Sequence, residues 1–583
     1  MIVQYDKFDR LETPALTLCN PGSKAVFNDE GQSLLSSSIG RIPYVQDLSV
    51  TFNFNAPSEL TFSTSRPAGN GRPPYDISKQ LAPKRYIYAS GFGFFQIQSV
   101  TRAREDNVWT YTVQATSCEV ELQQTPLPFI TDGVMRLFVP EKDATESASS
   151  AYEGVLNLLL PGLKNWEIGT IDSQLLYESG NKQQPVIRNL EIGEDMSIYD
   201  FLTDTIQNAF NCLVLFDPDR RLIHFRDPAL YRETNRTDIH LGAECLENTI
   251  SVEATADNLY TAVYVTGGDD WGIRAVNPTG ENVIYNFEPY YSWMSPELCV
   301  AVHRWRKKFN TLMEDQETIQ KAYNEEMVAY YKAQHEKEKW TIVKDIYDRL
   351  YEQLETLVGM NIDDDGVTLN AMIKAANDKL QQQGEGPLDG ISINEYINTV
   401  TAKIENCKKN IVKNNRPLPP NTLIDRQKSV SLSTEAEDEA GTIFTRDLLD
   451  ELSHFIYVGE YQDEYIALTD EMEYEERLPQ YRAMMQRAKQ YLDTACKPSV
   501  KFDVDVASFL FSKHFERYAT QLLTGCSISV ETDDRVFETL YLTAFDVNYA
   551  DKSLHLTFGN AYEKFDMQSV FNNVFPKKMF SAT

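Results

Sequence analysis

Residues 93–122, GFFQIQSVTRAREDNVWTYTVQATSCEVEL, carry the pattern that decides the fold of this chain. Phe95, Ile97 and Ser99 alternate with polar neighbours, and after the polar turn Glu105, Asp106, Asn107 the residues Trp109, Tyr111, Val113 and Ala115 alternate again. A period of two places one set of side chains on a buried face, so the stretch predicts an antiparallel hairpin. Residues 47–55 (DLSVTFNFN) repeat the pattern with Leu48, Val50, Phe52 and Phe54, and the Gly- and Pro-rich residues 67–74 (PAGNGRPP) read as a loop. The first 125 residues therefore predict a small β-barrel or sandwich.

Downstream the period changes. Tyr152, Val155, Leu156 and Leu159, and then Ile198, Phe201, Leu202, Ile206 and Phe210, lie at helical spacing. The second helix leads into CLVLF at 212–216, a turn DPDR at 217–220 and a returning strand at 222–225, which together predict an α+β module. Strands follow at 248–252 and 260–266. Residues 301–358 then contain neither Gly nor Pro, and Trp340, Val343, Tyr347, Leu350, Leu354 and Leu357 form a three- and four-residue stripe. This predicts a long, coiled-coil-like helix, about 87 Å if unbroken at 1.5 Å per residue. Further helical stretches reach to about 497. Strands resume at 540–545 and 553–558, where Leu554, Leu556 and Phe558 alternate as in the first hairpin, a pattern that fits an internal duplication.

Composition narrows the function. The net charge of −31 opposes tight nucleic-acid binding, which uses Lys and Arg to neutralise phosphates; an acidic wall would still let DNA slide past without sticking. Residues 435–477 concentrate 15 acidic against two basic residues and read as a solvated or partner-binding face. No stretch approaches the roughly 20 apolar residues of a membrane span, and the start of the chain lacks the pattern of a secretory signal. The eight cysteines are scattered without a C-x-x-C pair, as expected of buried thiols in a reducing compartment.

Catalytic and metal motifs stop short of their physical requirements. His335 and Glu336 begin H-E-x-x, but Lys339 occupies the position of the second zinc ligand. Asn361, Asp363, Asp365 and Gly366 match half a calcium loop, and Met372 stands where a bidentate Glu is needed. Gly91, Phe92 and Gly93 lead into a strand and read as a turn, without the helix N-terminus that a phosphate cradle uses. No catalytic, cofactor-binding or metal residue is assigned, and no cofactor is expected.

The order of these pieces resembles the phage tail-associated, or baseplate hub, protein family. There a strand reading F-x-I-x-x-V, here from Phe95, leads through a hairpin to a C-E-x-x-L helix start, matched by Cys118, Glu119 and Leu122. Residues 199–225 resemble the family's second module and 250–267 the entry to its third. Residues 497–509, 525–530 and 540–559 resemble its closing part, ending on Leu556, Gly559 and Asn560. The resemblance implies an α+β multidomain chain with two antiparallel β-barrel hub domains, an α+β module and the long helical insertion. The boundaries expected are 1–125 for the first barrel, 126–247 for the α+β domain, 248–300 plus 498–560 for the second barrel, 301–497 for the insertion and 561–583 for a tail. It implies a non-enzymatic homotrimer at the tail tip of a virion. Such a trimer adapts a six-fold tube to a three-fold tip, binds the distal tail protein, tail tube, tape measure and receptor-binding or fibre proteins, and lets DNA pass. Many relatives append a lytic or receptor-binding domain; with only 561–583 after the last barrel, lytic activity is not expected here. The alternatives are a tail-associated peptidoglycan hydrolase or endopeptidase and a coiled-coil scaffold or adhesin.

Overall fold

The computed structural model describes residues 5–559 except 6–8, 10–11, 28–32, 55, 68–76, 141–151, 178–184, 194–195, 243–245, 256–258, 269–270, 360–366, 469–471, 507–511 and 534–535. The chain divides into two compact units, Met1–Gly272 with Val283–Ser292 and Phe455–Thr583, and Ile273–Asn282 with Trp293–His454.

The first unit is built on a thirteen-stranded sheet. Its strands are β1 (Leu16–Cys19), β2 (Ser38–Arg41), β3 (Val45–Asn53), β4 (Glu59–Pro67), β5 (Tyr86–Ala89), β6 (Gly93–Glu105) and β7 (Val108–Ser117), then β8 (Arg236–Leu241), β9 (Leu246–Thr255), β10 (Ser499–Val506), β11 (Ser527–Asp533), β12 (Val536–Asn548) and β13 (Ser553–Gly559). The ladder runs β9-β10-β13-β12-β3-β4-β7-β6-β5-β1-β2. One flank of β12 takes β11 along its first half and β3 along its second, and β8 pairs with β11.

The predicted alternation decides which side chains face inward. On β7, Tyr111, Val113 and Ala115 are buried while Thr112 and Gln114 are exposed; on β13, Leu554, Leu556 and Phe558 are buried while Ser553 and His555 are exposed. The sheet curls round two cores, one centred on Val50, Phe62, Phe95 and Val113 and the other on Leu542, Val547, Leu556 and Phe558. The sequence leads to an expectation of two barrels; the ladders among the described residues are not closed, because β3 pairs with β12 and joins both halves into one sheet.

The halves share a plan. The first runs β3-β4-β7-β6-β5-β1 and the second β9-β10-β13-β12-β11-β8. Register agrees as well: β6 and β12 each carry a bulge against their hairpin partner, between Ile97 and Ser99 and between Leu542 and Ala544. Four of the five neighbouring pairs are antiparallel in both halves; the fifth is antiparallel for β1–β5 and parallel for β8–β11. The sequence between β9 and β10, which includes the second compact unit, occupies the place of the short β3–β4 connection.

The α+β module packs on the other side of β5 and β6. Ser197 caps the predicted helix, its hydroxyl accepting from the Asp200 N–H at 3.1 Å, and Ile198, Phe201, Leu202, Ile206 and Phe210 are all buried. Asn211, in the left-handed conformation at φ 47°, ends it. Strands Leu213–Asp217 and Leu222–Arg226 follow, and the Asp217 carboxylate accepts from the N–H groups of Asp219 and Arg220 at 3.0 Å each, closing the turn. Strand Ala262–Gly267 belongs to a separate three-stranded sheet with Val283–Tyr285 and Val458–Asp463.

In the second unit the long helix is two helices, α1 (Pro296–Met313) and α2 (Gln316–Gly359), with no Gly or Pro at the break. The Arg426 guanidinium donates to the Leu312 carbonyl at 2.9 Å and pairs with Asp315, so a side chain takes up a helix-end carbonyl and the chain turns. At 44 residues α2 reaches about 66 Å. Its stripe of Val343, Tyr347, Leu350 and Leu354 is covered within the chain by α3 (Val367–Gln382) and α4 (Ile393–Lys413).

Candidate functional site

The feature that organises the first unit is the seam between its halves. Residue by residue, Asn53 faces Ala544, Phe52 faces Phe545, Thr51 faces Asp546, Val50 faces Val547 and Ser49 faces Asn548. The Asp546 carboxylate accepts from the Ser49 hydroxyl at 2.7 Å and from the Thr51 hydroxyl at 3.3 Å. Phe52 stacks on Phe545 with centroids 4.6 Å apart and meets Phe92 at 5.2 Å. The bulged Thr543 turns its carbonyl outward to accept the Phe54 N–H at 2.7 Å. Gly525, at φ +81°, lies so close to the Phe54 ring that a Cβ there would stand 2.3 Å from it; the turn needs glycine on both counts.

A buried polar node ties the first half to the α+β module, and it grows from the C-E-x-x-L turn. Cys118 is fully buried with its thiol toward the Pro218 carbonyl at 3.5 Å. Glu121 accepts from the Tyr86 hydroxyl at 2.5 Å and from the Trp166 indole N–H at 2.7 Å, and it pairs with Arg221. The Arg221 side chain is 2% exposed, lies 5.5 to 5.8 Å from the ring centres of Tyr86, Phe94 and Trp166, and donates to the Ser23 carbonyl at 3.2 Å. Burial, reinforced by Glu121, pushes the Tyr86 hydroxyl up. Gly93 lets this turn approach, since a Cβ there would sit 2.9 Å from the Asp219 backbone nitrogen.

Glu119 accepts from the Ser117 hydroxyl at 2.5 Å, and its second oxygen has no hydrogen-bond partner among the described residues. It lines a cavity of about 530 Å³ beside the seam, with Phe54, Asp219, His224 and Tyr231. Burial pushes the Glu119 carboxyl up to about 7. A raised acid favours the folded state while protonated, so its stabilisation is full below its ordinary value near 4.5 and is lost as pH rises through 7. Glu119→Gln is expected to match the parent at pH 4.5 and exceed it by about 3 kcal/mol at pH 8, at 1.36 kcal/mol per unit. Denaturant titrations of both proteins at the two pH values check this; parallel pH profiles would refute it.

The other motifs singled out from sequence lie apart. His335 and Glu336 are exposed on α2, and Lys339 there pairs with Glu385 at 3.8 Å. The half calcium loop at 361–366 lies outside the described residues. Gly91 and Gly93 form the β5–β6 turn with φ of +85° and +94°. His224 accepts the Thr170 N–H at 2.9 Å, and burial lowers its pKa. Among the described residues no group of three or more His, Cys, Asp or Glu is placed to hold a metal ion, and no helix is long and apolar enough to cross a membrane. The acidic stretch 435–477 is not one solvated face. It runs through both compact units; Asp438 pairs with Arg304 in one, and Asp463, 5% exposed, takes the Arg487 Nε–H at 2.9 Å in the other. Arg221 and Arg487, the cations that organise these buried contacts, carry no sequence signal beyond a basic residue near a turn or on a helix.

No protein-family profile matches the chain, and no curated protein does. Among solved structures it is similar to the prophage tail protein gp18 from Listeria monocytogenes EGD-e, at 9% identity and a TM-score of 0.42 over 96% of this chain and 98% of that one. It is similar to the tail protein from Neisseria meningitidis MC58, at 8% identity and a TM-score of 0.39 over 94% and 97%. The 43 kDa tail protein of prophage MuSo2 from Shewanella oneidensis follows, at 7% and 0.36 over 94% and 97%. Two of these neighbours are prophage tail proteins and the third is a tail protein.

Proposed function

We propose that this chain is the structural hub of a phage or phage-like tail tip or baseplate, without enzymatic activity of its own. The observation that carries the reading is the doubled ladder: two halves with one strand order and matching bulges, joined edge to edge by β3 and β12. Three such chains present six similar β units, which is what a three-fold tip needs to meet a six-fold tube. The hub closes the tail tube, docks the tape measure, the distal tail protein and receptor-binding or fibre proteins, and lets DNA through without binding it. The strong negative charge of the chain suits a wall that DNA passes and does not grip.

The test is the mass of the purified protein by native mass spectrometry, with negative-stain averages of the same sample. The expected result is a particle near three times 66.6 kDa, about 200 kDa, with a ring and three-fold projection. A compact monomer that cleaves peptidoglycan would overturn the reading in favour of a tail-associated hydrolase.

A further inference from the structure

The seam inside the chain serves as a template for a second seam between chains. In the first half β3 is the last strand of its ladder, and β12 of the second half covers it. The strand in the same place in the second half is β9, ten residues long and, among the described residues, paired on one side only, with β10. Among the described residues no strand pairs with its outer edge. A long edge strand with open N–H and C=O groups, in a segment without Pro, invites another strand.

The counterpart of β12 is β6. Its early residues pair with β5 as far as Gln96, and the Ile97 N–H and C=O still bond backbone groups of Arg85 and Lys84. Beyond the bulge at Gln98 no strand among the described residues takes up that flank, and Thr101 to Glu105 are all exposed. The equivalent stretch of β12, under β3, has Phe545 and Val547 buried and Ala544, Asp546 and Asn548 half-buried. Among the described residues, the first half thus holds an occupied strand and an empty socket, the second a filled socket and an open strand.

We infer that β9 of one chain pairs antiparallel with the outer part of β6 of the next copy, in the register of the internal seam; the inference rests on the hub reading and specifies its subunit interface. Shared pairings set the register. Val50 faces Leu60, which faces Ala115 opposite Ile97; Val252 faces Phe502, which faces Phe558 opposite Leu542. Val252 therefore corresponds to Val50, and the matching bulges make Ser99 correspond to Ala544. The internal pairs Asn53–Ala544, Thr51–Asp546 and Ser49–Asn548 translate to Thr255–Ser99, Glu253–Thr101 and Ser251–Ala103 between chains. At the centre an acid and a hydroxyl residue again stand opposite each other, with the strands exchanged. The contact is head to tail, joining two different surfaces, so identical contacts close a ring when the rotation allows it.

The test places cysteines at the central pair. A chain carrying Thr101→Cys and Glu253→Cys is oxidised gently and run on a non-reducing denaturing gel, beside each single variant and a Thr51→Cys, Asp546→Cys chain as the intrachain control. The expected result is bands at two and three chain masses that need both new cysteines. If the particle is a trimer by native mass and the control bond closes, yet the double variant stays at one chain mass, the strand register is wrong and the hub stands. A sample that is monomeric at every concentration and unlinked overturns the pairing, and peptidoglycan cleavage by that monomer overturns the hub as well. Linked species that grow past three chains keep the pairing and overturn the closed ring.

Discussion

Arg221→Ala is expected to destabilise the first unit by about 3 kcal/mol, the low end for breaking a buried pair, because it leaves the half-buried Glu121 charge uncompensated. Glu121 would keep its bonds from Tyr86 and Trp166 but lose the cation that balances it. Three aromatic rings would also lose the guanidinium packed among them. Because a chain with two compact units need not unfold in one step, a single melting temperature would blur the effect. Amide hydrogen exchange in strands Leu213–Asp217 and Leu222–Arg226 reads it locally, as faster exchange at those amides. A double variant, Glu121→Gln with Arg221→Met, removes both charges and keeps most of the volume, so it should recover a large part of the loss. If the single and double variants lose equally, packing and not charge holds the node.

Arg221 also marks where sequence reading reaches its end. The residue follows the DPDR turn, where a basic side chain reads as solvated, and its burial arises only because Gly93 lets that turn lie against β6. The C-E-x-x-L turn was legible as a motif, but the acid that forms the node is Glu121, inside the spacer. Alternation fared better. It tells which face of a strand is buried, and Tyr111, Val113, Ala115, Leu554, Leu556 and Phe558 are all inside. It does not tell which strand lies alongside, so the β3–β12 pairing, between residues nearly 500 positions apart, has no local signal. The α+β class and the long helix were legible for the same reason: period and length are local quantities. The break between α1 and α2 was not, since Glu314 and Asp315 are compatible with a helix and Arg426, distant in sequence, ends it. The stripe on α2 reads equally as a seam between chains; distinguishing that from the internal packing observed requires knowing where α3 and α4 fold back.

Phe545→Ala should be the most informative change at the seam. The ring is 3% exposed, sits in the core of the second half and stacks on Phe52 of the first. Truncating a buried Phe costs about 3–5 kcal/mol, of which an aromatic pair supplies roughly 0.5–1.5 beyond its area. The backbone pairs on either side remain, so the loss should appear first as local opening: faster amide exchange at 49–53 and 544–548 while the β4–β7 and β10–β13 pairs stay protected. The functional consequence follows from geometry. The two halves are fixed edge to edge by five residue pairs, and a ring of six units needs the same rotation at every joint, so a loosened internal seam should reduce ring-shaped particles at temperatures where circular dichroism is unchanged. Phe545→Leu, which keeps apolar volume without the stack, separates the contributions: rings retained in Leu and lost in Ala assign the effect to packing, and rings lost in both assign it to the aromatic pair. Rings retained in both would mean that the backbone ladder alone sets the rotation.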